Sequence, residues 1–156
     1  MNGLITGDAC MRMTRELSFF RFLSDEELQA MGNYFTCRRV EAGTVLWKEG
    51  DPCNFMLFIL SGRMLIKKGT EFEGKDVVIG VLSSGSMNGE RGLLDGSPHP
   101  YTAEALEDLE LVMIDHDSFN RILEERNELA VKLLKGMLLS VSTRLENALS
   151  RLASVF

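Results

Sequence analysis

Between Thr36 and Asp115 the chain is a succession of short apolar runs, each closed by a turn, and that division constrains its fold more than any other feature. The runs occupy residues 44–47, 55–60, 63–68, 76–82, 101–105 and 109–114, with 38–43 leading into the first. Glu49-Gly50-Asp51-Pro52, Ser61-Gly62 and a polar tip at 69–75 interrupt them. Short strands recurring every ~8–12 residues between glycine turns read as an antiparallel sandwich or roll.

Helical patterns flank this region. Leu17, Phe19, Phe20, Phe22 and Leu23 form an apolar cluster. Ser24-Asp25-Glu26-Glu27 then has the form of a capping box, in which the serine hydroxyl and the glutamate three residues on satisfy each other's backbone N–H groups. Leu28, Met31 and Phe35 continue one helical face, and Gly32-Asn33 is the expected stop. Residues 1–12 show no periodicity and are expected to be a loose arm. After Asp117 the pattern is helical again, through Ile122 and Leu123, and then in a long helix expected over 128–153. Along that helix Leu134, Leu138, Val141, Leu145, Ala148, Leu152 and Val155 alternate in steps of four and three, the seam of a two-helix coil. Leu133, Met137 and Arg144 lie on a neighbouring face suited to the chain's own β-body. Helices with two apolar faces usually have two partners, so the seam is expected to make a homodimer; the alternative is that it packs on the chain's own domain.

One stretch, residues 85–103, stands apart. It holds four glycines, two prolines, Glu90, Arg91 and His99, a composition suited to a loop that wraps a small anion rather than to a core element. Together with the order of elements, its motifs carry a resemblance. Gly43-x-x-Leu46-x-x-Glu49-Gly50-Asp51, followed by Phe55, Ile59 and Gly62, resembles the first strands and turns of the cyclic-nucleotide-binding domain family, which includes the sensor domain of catabolite activator protein and the regulatory subunits of protein kinase A. Gly85-x-x-x-Gly89-Glu90-x-Gly92-Leu93-Leu94 resembles that family's phosphate-binding cassette. The resemblance spans residues 16–150 and implies an α+β fold: an antiparallel β-roll (a double-stranded β-helix of the jelly-roll type) with N-terminal helices and a long C-terminal helix. It divides the chain into an arm (1–15), a β-roll (16–126) and a C-terminal helix serving as lid and dimer element (127–156).

The resemblance also implies roles. Gly89 lets the backbone approach the ribose phosphate, Glu90 accepts the ribose hydroxyl, and backbone N–H groups at Gly92 and Leu93 face the phosphate. Thr102 belongs to the same ligand-binding set. The family's phosphate-pairing arginine is absent: His99 stands at its position, followed by Pro100, which has no N–H to give. Arg91, and more distantly Arg63, are the cations that could replace it. A bound phosphate favours the protonated form of His99.

The implied function is a regulatory sensor of cAMP or cGMP with a modified cassette, signalling through a shift of the C-terminal helix. Two alternatives stand beside it. One is a sensor of a different small effector, haem included, for which His99, His116, Cys37, Cys53 and nine methionines are available without tight Cys/His spacing. The other is a ligand-free dimerisation or docking module. No metal, required cofactor or enzyme activity is expected, because no Ser/His/acid or Cys/His set is suggested by spacing.

Charge and composition agree with a sensor rather than a nucleic-acid reader. The formal net charge is −6 and no more than two basic residues are adjacent, so a phosphate-backbone footprint is missing. Transcription factors of the superfamily place a helix-turn-helix after the long helix, and the residues beyond it here are too few for one. If the natural chain ends at residue 156, the output is expected to pass through another protein or through oligomerisation; if it continues, a helix-turn-helix or an effector domain would follow. No apolar run reaches the ~20 residues of a membrane span, and residues 1–15 lack a signal-peptide pattern. Three cysteines, Cys10, Cys37 and Cys53, without CxxC spacing suggest a reducing cytoplasm over a disulfide framework.

Overall fold

The structure, a computed structural model, describes residues 3–5 and 7–155. Among the described residues nine strands form two antiparallel sheets. The first orders β1 (Gly3–Ile5), β2 (Thr36–Val40), β9 (Leu109–Asp115), β4 (Phe55–Ser61) and β7 (Met87–Asn88). The second orders β3 (Val45–Trp47), β8 (Thr102–Ala105), β5 (Met64–Gly69) and β6 (Asp76–Leu82). The helices are α1 (Gly7–Glu16), a 3₁₀ turn at Ser18–Phe20, α2 (Asp25–Met31), α3 (Glu90–Asp95), α4 (His116–Glu125) and α5 (Asn127–Ala153). This is the expected β-roll with flanking helices.

The continuous apolar character of β4 follows from where it sits. Successive side chains of a strand point to opposite faces, and β4 is covered on both. Met56, Phe58 and Leu60 join the helices in one core with Phe19, Phe20, Leu28, Met31, Ile122, Leu133 and Met137. Leu57 and Ile59 point the other way, into the roll, with Trp47, Met64, Ala103 and Leu111. Its partner β9 divides in the same manner, with Val112 and Ile114 toward the helices and Leu109 and Leu111 inward.

The capping box at α2 forms as expected: Glu27 N–H donates to Ser24 Oγ at 3.1 Å and Ser24 N–H donates to Glu27 Oε2 at 2.8 Å. Asp115 caps α4 by accepting from Ser118 N–H at 2.7 Å, so that helix opens at His116 rather than Asp117.

Two expectations at the N-terminus are corrected. The segment read as a loose arm carries a strand and a helix, with β1 pairing along β2 (Leu4 opposite Arg38) and α1 against it. Its few residues have too little periodicity to signal this, because the stabilising contacts come from β2. The cysteines also differ from the expected free thiols. Cys10 on α1 and Cys37 on β2 are joined in a disulfide, both buried, and only Cys53 is free.

Candidate functional site

Residues 85–103 fold as a turn, a short helix and a loop over one end of the roll. β7 passes into Gly89, whose φ is +86° and at which an added Cβ would lie 2.4 Å from the Phe55 carbonyl oxygen. Only glycine makes that turn at that separation. Glu90 follows as the first residue of α3, Gly92 is buried against Cys53, and Leu93 is wholly buried beneath. A cavity of about 450 Å³ opens between α3, the 97–101 loop and the Glu49-Gly50 turn. That volume suits a small-molecule ligand, for which ~300–1,000 Å³ is usual.

Glu90 faces this cavity and is held from the far side. Arg144 of α5 donates to the Glu90 carboxylate and, through Nη1, to the Met87 carbonyl at 3.2 Å. The long helix is therefore tied to the cassette by its acid. On the opposite rim Glu49 pairs with Lys68 and accepts from Gly69 N–H at 3.0 Å. The Lys68 contact, then the Gly69 N–H, holds the Glu49 carboxyl below the usual carboxylate range. Lys68 also donates to the Pro100 carbonyl at 2.8 Å, fastening the 97–101 loop to β5. Thr102 Oγ1 accepts from Glu49 N–H at 3.0 Å. Tyr101 accepts from the Asn88 amide, and burial, first among its influences, raises its phenol above the ordinary value.

His99 lies differently from a phosphate ligand. Its ring stacks on Trp47 at 4.2 Å between centroids and 12° between planes, with Phe55 at 5.5 Å, and the residue is 2% exposed. Nδ1 is buried and has no hydrogen-bond partner among the described residues. The backbone is engaged too, since His99 N–H donates to Asp51 O at 2.9 Å and its carbonyl accepts from Gly50 N–H at 2.8 Å. Burial pushes the imidazole pKa down, and the nearby Asp51 only partly opposes this.

A consequence for pH follows. With the folded-state pKa below its unfolded value, the unfolded chain binds the proton more readily, so stability is full above ~6.5 and falls as pH drops through that value. Urea midpoints at neutral and mildly acidic pH should show this loss. His99→Phe, which keeps the stack on Trp47 without a titrating ring, should reduce it. An unchanged acid slope in that variant would contradict the assignment.

The other expected residues divide. Arg91 lines the rim, but its side chain is exposed and pairs with Asp95 at 3.3 Å. Arg63 is engaged by Glu107 at 2.8 Å. Leu93 N–H, expected to face a phosphate, donates instead to Gly89 O at 3.0 Å within the helix. His116 is not at the cavity: its Nδ1–H donates to Leu93 O at 2.7 Å while Nε2 accepts from Asn120 at 3.0 Å, fixing α3 to α4. Cys37 lies in the disulfide, and Cys53 is buried, its thiol pushed up chiefly by burial. Among the described residues no group of three or more His, Cys, Asp or Glu could hold a metal ion. Of the seam residues, Leu134 packs partly on the helix core, Ala148 is half-buried, and Leu138, Val141, Leu145 and Leu152 are exposed. Arg144, Glu49 and Trp47 were not foreseen as site residues. The signal for Arg144 was its place on the inward face of α5 with Leu133 and Met137.

The sequence profile of the cyclic nucleotide-binding domain family matches residues 37–126, more than half of the chain. The chain belongs to this family. It is 30% identical over 98 residues to the lysophospholipase nte1 of Aspergillus oryzae, a match covering 62% of this chain and 6% of the length of that protein. Among solved structures it is similar to a cyclic nucleotide-binding domain from Methylobacillus flagellatus KT, with TM-score 0.82, 21% identity, and 96% of this chain and 84% of that one covered. It is also similar to the regulatory domain of Toxoplasma gondii protein kinase A with cAMP, with TM-score 0.60, 26% identity, and 74% and 44% covered. No helix among the described residues is long and apolar enough to cross a membrane.

Proposed function

We infer that this chain is a regulatory ligand-sensing domain in which Glu90 receives the ribose hydroxyls of a nucleotide-type ligand and α5 carries the signal away. The observation that bears this reading is the Glu90–Arg144 contact. A hydroxyl arriving at Glu90 competes with, or adds to, the arginine that holds the long helix over the cassette. Ligand affinity then differs between two arrangements of α5, which is the requirement for a ligand to shift a conformational equilibrium. The role is regulatory and not catalytic; the lysophospholipase activity is that of the fungal relative. The Cys10–Cys37 disulfide removes the thiol argument for a reducing cytoplasm.

Calorimetry of the wild-type chain and of Glu90→Gln with cAMP, cGMP, adenosine and guanosine tests the site. Removing a charged acceptor costs ~1.5–3 kcal/mol, so the variant should bind its best ligand at least about tenfold more weakly. No heat with any of the four ligands would defeat the reading.

A second observation supports homodimerisation through the same helix. Leu138, Leu145, Leu149 and Leu152 are all more than half exposed along α5, an apolar stripe that the single chain leaves uncovered. This interaction role does not require a ligand.

A further inference from the structure

The cavity keeps the acid that suits a ribose and lacks the charge that suits a phosphate. Among the described residues lining it, Arg91 is the one cation, and it is exposed and paired with Asp95. The cations that reach the rim from outside are engaged as well. Arg144 is divided between Glu90 and the Met87 carbonyl, and Lys68 between Glu49 and the Pro100 carbonyl. An anion entering here would meet two carboxylates, Glu49 and Glu90, each already neutralised by its own partner.

Part of the backbone is unavailable as well, and the first-turn N–H groups of α3 at Glu90, Arg91 and Gly92 are dipoles that carry no full charge. Pro98 and Pro100 have no N–H. The N–H groups of Leu93, Ser97 and His99 donate to Gly89 O, Asp95 Oδ1 and Asp51 O. His99 itself is flat on Trp47 and nearly sealed from water, so a charge on its ring would be desolvated. As a neutral ring it can still exchange one hydrogen bond with an uncharged group. A buried unpartnered nitrogen such as Nδ1 is the kind of group that a ligand hydroxyl satisfies.

We propose that the cavity selects an uncharged, ribose-bearing ligand, a nucleoside, over its cyclic phosphate ester. This rests on the assignment of Glu90 to the ribose and adds the chemistry of the ligand's other end. The ribose diol has an acceptor in Glu90, whereas the phosphate would surrender its hydration without a cation to replace it. Each missing charged hydrogen bond forgoes ~1.5–3 kcal/mol, so the preference should be about tenfold or more.

The test is competitive and direct calorimetry on the full chain with adenosine against cAMP and guanosine against cGMP. The expected result is that at least one nucleoside binds about tenfold more tightly than its own cyclic phosphate. Equal or tighter binding of the cyclic phosphate overturns the proposal while leaving Glu90 as the ribose acceptor. Absence of binding by both classes overturns it together with that assignment. A second measurement uses His99→Arg with Pro100→Ala, which restores a cation and an N–H. Its ratio of cyclic phosphate to nucleoside affinity should rise about tenfold over wild type. A ratio that does not move in a folded variant counts against the proposal.

Discussion

Reducing the Cys10–Cys37 bond lowers the unfolding free energy by ~2–4 kcal/mol, the range expected when a cross-link of this span no longer restricts the unfolded chain. The bond joins residues 27 apart in sequence and ties α1 to β2, with both sulfurs buried. For a chain of this size ~1 kcal/mol moves the thermal midpoint by a few degrees, so the shift should be plain in a melt with and without reductant. Comparing oxidised and reduced forms of one sequence avoids the cavity that a Cys→Ala change would leave. Thiol titration of the denatured, non-reduced chain supplies the check. One reactive thiol, from Cys53, is expected, and three would show that the bond is absent.

The second large effect concerns α5. Leu138→Glu with Leu145→Glu should give a monomer where the wild-type chain sediments as a dimer. In a helix–helix seam each new carboxylate would be taken out of water, at an effective cost of several kcal/mol per ion. In the single chain the same positions are 67% and 60% exposed, so the fold should be indifferent to the change. Equilibrium sedimentation reads the assembly state and far-ultraviolet circular dichroism the fold. A monomeric wild-type chain, or a doubly substituted chain that stays dimeric, would remove α5 as the interface.

Much of the architecture was legible because its signals are local. The capping box at Ser24–Glu27 needs only four residues, and the apolar runs with their glycine turns give the strands within a residue or two. What escaped depends on partners remote in sequence. The Gly3–Ile5 strand is defined by β2, and no pattern within three residues could announce it. His99, between two prolines, has the local character of an exposed loop residue, yet Trp47 provides a flat surface that draws its ring inward. The loss of the arginine was visible in sequence. That every neighbouring cation is already paired became visible only with Arg144, Lys68 and Arg91 in place.

The two-sided burial of β4 has a consequence for how the chain finds its alignment. A strand with one wet face carries its register in its own alternation, since slipping by one residue would expose its apolar set. Residues 55–60 are apolar throughout, and a slipped β4 would be nearly as greasy on either side. The information that rejects the slip must therefore lie at the ends of the strand. It is found where the ladder shifts between Ile59 and Ser61, and where Ser61 Oγ donates to Glu110 Oε2 at 3.1 Å. A polar pair at the margin of the sheet thus acts as the index mark against which an otherwise ambiguous strand is set.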